Sequence, residues 1–345
     1  MKRILLIILF CIPLSLSAMP NDTNLSLSGF GTFSAAKTDT HIPVIQNREI
    51  TEDLCFDCDS TVGAQLVWQP NAFFKSGVQV VKRPEDHFSD PEIERAYVEV
   101  MWQNSKLTAG RLRVPLFMHS ESYFVSSGYP WLRLPAEVYS HTLGITYYTG
   151  ASYTWNGSIG DSVYYTISPY FSLPREKTVN MYRRNFTFKA DGSVGLTTDF
   201  YFLDHQLHAA WLNTNAEQSD FGPPSRFNLQ LFTLGTSLNF DRLRVDAEVI
   251  LSDEFHANWY TSLAYNIEKW TPYITYGQGR RTNQSNSYLV GTRYDVTPNI
   301  NLNLEWQYFH GPDHVITSQF AVPQNPAKPF VTSVNLFSLG LTFTF

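Results

Sequence analysis

The sequence predicts an all-β protein, a transmembrane antiparallel β-barrel of about sixteen strands. Three observations carry that reading. Charge is sparse: 16% of the 345 residues are charged, against about 25% in an average soluble domain. Aromatics are abundant at 15%, with 19 Tyr, 25 Phe and 8 Trp. The mean hydropathy is only −0.20, and no apolar run approaches the ~18 residues of a helical span. A barrel reconciles the three, because lipid-facing and water-facing residues alternate and cancel in a running average. The same numbers exclude a disordered chain, since so many aromatics with so little charge favour burial. They also argue against a nucleic-acid partner: the net charge is −6 and no Lys/Arg run exceeds three residues.

Residues 1–18 read as a secretory signal peptide. Lys2 and Arg3 form the basic start, Ile4 to Leu14 the apolar stretch, and Ser17-Ala18 a small-residue cleavage end. Cys11 sits inside the apolar stretch behind bulky Phe10, which argues against lipid attachment. Cleavage removes two bases and no acid, and leaves residues 19–345 as one barrel outside the reducing cytoplasm. Two cysteines remain there, Cys55 and Cys58. One Cys-x-x-Cys cannot complete a four-ligand zinc site, and no strand leads into a helix as a thioredoxin-like site requires. A local disulfide pinning a loop is the bland reading. Metal capture with Asp57 and Asp59, and unpaired or intermolecular thiols, are the alternatives.

The strands follow from period-2 alternation. At the C-terminus Phe337, Leu339, Leu341, Phe343 and Phe345 share one face, with Ser338, Gly340, Thr342 and Thr344 on the other. Similar runs place strands at 24–36, 61–69, 73–81, 93–103, 106–113, 140–155, 162–172 and 193–203. Eight more follow at 206–216, 226–240, 243–253, 256–267, 270–280, 287–296, 300–310 and 331–345. Short polar turns such as Gln103-Asn-Ser105 and Asp241-Arg242 alternate with long connections near 37–59, 82–92, 114–138, 173–192 and 311–329. That asymmetry is the one expected of outer-membrane barrels, and an even strand number puts both termini on the periplasmic side. Trp68, Trp102, Trp259, Trp270, Tyr294 and Trp306 fall near strand ends, as an interface girdle requires.

A barrel of this size is wide enough for a water-filled channel, so selectivity depends on what narrows it. The connection from Val114 to Val138 is the candidate. It carries three prolines and the aromatics Phe117, Phe124, Tyr129 and Trp131, which need a surface to pack on. Here the chain resembles the general porins of Gram-negative outer membranes. The resemblance rests on Leu-Ser-Leu-Ser-Gly-Phe-Gly-Thr-Phe at 25–33, on Ala-Gly-Arg-Leu-Arg-Val-Pro-Leu-Phe at 109–117, and on the terminal Phe345. It implies a homotrimer of sixteen-stranded barrels in outer-membrane lipid, each with its third loop folded inside. It also implies passive diffusion of small hydrophilic solutes and ions, with no cofactor and no metal. The family's acidic third-loop motif is not cleanly matched, because this loop is richer in aromatics and poorer in carboxylates.

In such porins a basic wall faces acids on the third loop. Alternation places Lys75, Arg95, Arg111 and Arg113 on one face of three successive strands. Pointing Arg to lipid at mid-membrane costs about 2–4 kcal/mol, so that face is expected to be the inner one. Glu121 and Glu137 are the acids expected opposite, and Arg133 fits either side. Opposed charges across a lumen orient polar solutes and set ion preference. Tyr123, Phe124, Tyr129 and Trp131 either anchor the loop to the wall or line a path for sugar rings. A substrate-specific sugar or anion channel and a closed structural or adhesive barrel are the competing readings. An enzyme is not expected: no nucleophile elbow and no His-Glu-x-x-His motif occurs.

Overall fold

The computed structural model describes residues 24–45, 48–84, 90–140, 145–181, 184–219, 223–253, 256–281, 284–312, 319–321, 324, 327 and 329–345. The expected signal peptide over 1–18 lies outside the described residues. The strands are β1 (Leu25–Thr38), β2 (Thr61–Trp68), β3 (Phe74–Lys82), β4 (Pro91–Trp102), β5 (Ser105–Arg113) and β6 (Tyr147–Ile159). They continue as β7 (Val163–Ser172), β8 (Arg175–Met181), β9 (Arg184–Phe202), β10 (His205–Ser219), β11 (Ser225–Phe240) and β12 (Leu243–Ser252). The last are β13 (His256–Tyr265), β14 (Trp270–Gly279), β15 (Ser285–Thr297), β16 (Ile300–His310) and β17 (Ser333–Thr344).

Each strand pairs antiparallel with its neighbour, and β1 pairs with both β2 and β17, which closes the ring. Strand β8 stands outside that ring. It pairs with the Arg184–Ala190 part of β9, while β7 pairs with the rest of β9. Sixteen strands therefore form the closed barrel, and β8 with the start of β9 makes a hairpin rising above it. Every expected strand is present. The largest shift is in β9, which starts at Arg184 rather than 193 and pairs there with β8, a strand inside the connection expected over 173–192. Strand β6 starts at Tyr147 rather than 140, after the one-turn helix α1 (Ala136–Tyr139).

Burial in the barrel is inverted relative to a soluble domain. On β17 Leu339 is 52% exposed while its neighbour Ser338 is 2% exposed. The same contrast separates Val78 and Val98 on the outside from Gln79 and Glu99 on the inside. Polar side chains are enclosed and large aliphatic ones bare, an arrangement suited to lipid outside and polar contents within. Aromatic pairs sit beside the short turns: Trp68 on Phe74, Trp102 on Tyr153 and Trp270 on Tyr294, with ring centroids 5.7, 6.0 and 4.6 Å apart. Among the described residues no helix is long and apolar enough to cross a membrane.

Candidate functional site

Loop 3, between β5 and β6, packs on the inner face of the wall. Its Leu116, Phe117, Tyr129, Trp131, Leu134 and Val138 form one cluster with Leu231, Ile250, Tyr260, Tyr273 and Leu289, which project inward from β11 to β15. Prolines 115, 130 and 135 lack a backbone N–H, so this extended stretch leaves fewer donors to satisfy. The remaining polar groups find partners on the wall. Trp131 Nε1 donates to Thr275 Oγ1 at 2.9 Å and to Ser262 Oγ at 3.2 Å. Leu132 N donates to Glu305 Oε1 at 2.7 Å, and Asn303 Nδ2 donates to the Pro130 carbonyl at 2.8 Å. Glu248 accepts from Met118 N at 2.8 Å and from the Tyr139 hydroxyl at 2.6 Å. Glycines in the wall make room for the loop. A Cβ at Gly340 would strike Leu132, and one at Gly277 would strike the Glu137 carboxyl.

Burial sets the chemistry of the loop's titratable groups. It pushes His119, wedged among the rings of Tyr129, Trp131 and Tyr139, down to about 3, with the charges of Arg244 and His208 adding to the effect. Burial raises Tyr129 and Tyr139 as well, so both remain phenols that donate. These aromatics are enclosed, which fits anchoring better than a path for sugar rings.

The four basic residues do not form one ladder. Lys75 is in register with Glu99 on β4, whose carboxylate pairs with Lys106 Nζ at 3.3 Å. Arg95 on β4 reaches Glu121 of loop 3 at 2.8 Å. Arg113 turns to Glu94 at 2.8 Å and to Gln79 Oε1 at 3.1 Å. Arg111 is in register with Ala96, donates to the Ile93 carbonyl at 2.6 Å and lies over the Tyr147 ring. One local feature breaks the alternation read from sequence. The β3–β4 register slips between Gln79 and Val80, leaving Glu94 as the extra residue of a bulge. On β5 the register is unbroken, and Leu112, not an arginine, shares the inner face of Thr108 and joins Tyr97, Tyr148 and Tyr170.

Glu137 also departs from expectation. It does not face the basic side chains. Helix α1 carries it to the opposite wall, where it is buried over Gly277 of β14. Burial pushes its carboxyl above the usual range, and the nearby Ser287 hydroxyl offsets only part of that. Arg133 pairs instead with Asp59 of loop 1 (residues 39–60), at 2.6 Å. Burial alone would raise Asp59, yet the charges of Arg133 and Arg48 hold it below the usual carboxylate range. Cys55 and Cys58 form a disulfide in the same loop.

Sequence reasoning missed Glu94 and Arg83, and weighed Asp59 only as a metal partner of the cysteines. Glu94 is fully buried between Arg83 Nε at 3.0 Å and Arg113 Nη1 at 2.8 Å, and accepts from Thr146 Oγ1 at 2.7 Å. A single bulge turns it inward, and only the acid-rich start of β4 hinted at such a role.

No protein-family model matches the chain, and no curated protein does. Solved structures match along nearly its full length. OmpF of Salmonella typhi, in complex with daunomycin, is 13% identical with a TM-score of 0.64, over 95% of this chain and 99% of that one. An anion-selective porin from Comamonas acidovorans is 11% identical with a TM-score of 0.59, over 93% and 99%. A Rh. blastica porin variant is 14% identical with a TM-score of 0.58, over 93% and 100%. The fold is that of porin-type outer-membrane barrels.

Proposed function

We propose that this chain is an outer-membrane channel for passive diffusion of small hydrophilic solutes and ions. The observation that carries the reading is a closed barrel, bare and apolar outside and polar within, whose third loop lies along one inner wall. The free path then runs on the side of β3 to β5. There Arg95 and Glu121 keep solvent contact, with 21% and 65% of their side chains exposed. Exposed charges beside that path would set ion preference.

Enclosed side chains on β11 to β17 support a narrow passage rather than a wide one. Export by the leader at 1–18 and assembly as a homotrimer belong to the same reading, the first resting on the basic start, apolar stretch and small-residue end of that segment and the second on the porin resemblance at 25–33 and 109–117. The deciding experiment is single-channel conductance in planar bilayers. Small, ohmic steps are expected. Ligand-blocked steps would instead indicate a substrate-specific channel, and the absence of steps would overturn the proposal in favour of a closed barrel.

A further inference from the structure

The disulfide sits where loop 1 meets loop 3. Cys55 is fixed to β1, because its N–H and carbonyl pair with Ala36 at 2.8 and 2.9 Å. The bridge to Cys58 closes a tight loop, and the Cys58 carbonyl accepts from Arg48 Nη1 at 3.0 Å. Asp59 follows directly, one residue before Ser60 and the start of β2. Its carboxylate takes a two-point bond from Arg133, with Nη2 at 2.6 Å and Nε at 3.2 Å, and Arg48 Nε stands 3.8 Å away. Arg133 also donates to Ser338 Oγ on β17 and lies 3.8 Å from Glu305 on β16. This carboxylate therefore ties loop 1 to loop 3 and the wall, and the disulfide fixes the turn that presents it.

We propose that Cys55–Cys58 is a redox-controlled latch on the third loop. The inference rests on the channel reading for its consequence, since releasing the loop would widen the passage. The reductant is a dithiol. Cys58 is enclosed, whereas Cys55 is partly open between Leu54 and Phe56, both more than half exposed. A thiolate of the dithiol attacks Cys55 Sγ and expels Cys58 as its thiolate, which takes up a proton. The second thiol, as thiolate, then closes on the mixed disulfide and releases Cys55. The dithiol leaves as a cyclic disulfide, and the protein has gained two electrons and two protons. Cys58 no longer holds the Arg48–Asp59 turn, Asp59 moves off Arg133, and loop 3 loses its tie to loop 1.

The test is hydrogen exchange over residues 129–139 in the folded, oxidised protein, before and after dithiothreitol. Reduction is expected to speed exchange there by about tenfold, a local opening. Asp59→Asn is expected to do the same without reductant, and dithiothreitol should then add less than about twofold, because the two changes act through one contact. Unchanged exchange in the reduced natural protein would overturn the latch. So would a full further effect of dithiothreitol on Asp59→Asn. Conductance recorded on the same samples separates the two proposals: accelerated exchange in a protein that never conducts removes the channel reading and leaves the latch standing.

Discussion

Arg95 Nη1 of the barrel wall stands 2.8 Å from Glu121 Oε2 of the third loop, and both side chains meet solvent. This is the one described ion pair that joins β4 to the loop. Its members carry opposite signs, so removing either gives opposite results. Glu121→Gln leaves the cation of Arg95 and should move ion preference towards anions. Arg95→Ala leaves the carboxylate and should move it towards cations. Reversal potentials under a salt gradient measure both. A pair this exposed contributes less than about 1 kcal/mol, so thermal unfolding should barely change. Shifts of the same sign in the two variants would show that the pair does not govern ion passage.

Trp131 holds the loop by area and by hydrogen bonds, and substitutions separate the two. The ring is fully enclosed. Trp131→Ala should cost about 3–5 kcal/mol, as large aromatic deletions in packed sites do, and should raise conductance as the loop loosens. Trp131→Phe keeps most of the area. Thr275 and Ser262 also bond each other at 2.8 Å, so losing the indole N–H orphans neither. The cost should then be only about 1 kcal/mol. Thermal unfolding in detergent micelles gives both values.

Glu94 is an interior carboxylate held between two guanidinium groups and a hydroxyl. Arg83, Arg113 and Thr146 converge on it from just past the end of β3, from β5 and from the end of loop 3. Glu94→Gln leaves the two guanidinium groups short of countercharge in an enclosed site. Breaking such a pair costs about 3–5 kcal/mol. The unfolding temperature should fall well beyond the change seen in Glu121→Gln, and an equal effect in the two variants would contradict the burial argument.

These contrasts mark where the sequence was legible. The strand at Phe337–Phe345 could be read because alternation is a local property, and lipid forces it on every membrane-spanning strand. Loop 3 could be recognised as inward because Trp131 and Phe117 need a surface. Orientation past a bulge could not be read. The extra residue at Glu94 offsets the alternation on β4, whereas on β5 Leu112 takes the inner position expected for its arginine neighbours because it shares the face of the inward Thr108. The Arg133–Asp59 contact joins residues 74 apart in sequence and depends on how two loops meet inside the barrel. Glu137 was misplaced for a similar reason. Its charge suggested a basic partner, but the turn at α1 carries it to the wall at Gly277.

Glu137 makes the docking of loop 3 depend on pH, with a definite sign. Burial raises its folded-state value above the 4.5 of an ordinary glutamate. Between those two values the folded protein holds more protons than the unfolded chain, so stability falls as pH rises. The contribution is fully present below 4.5 and is lost as pH passes through the raised value, by at most about 1.4 kcal/mol per pH unit for one proton. His119 acts in the opposite direction. Its value falls from 6.5 to about 3 on folding, so its contribution is present above 6.5 and is lost on acidification. Asp59, also depressed, has the same sign as His119. Stability of the natural protein alone would mix the three. The difference between it and Glu137→Gln cancels His119 and Asp59. From pH 4.5 upward, Glu137→Gln should gain stability relative to the natural protein, and its α1 segment should exchange hydrogen more slowly. A difference that stays constant with pH would show that Glu137 is ionised in the folded state and that its burial over Gly277 is compensated.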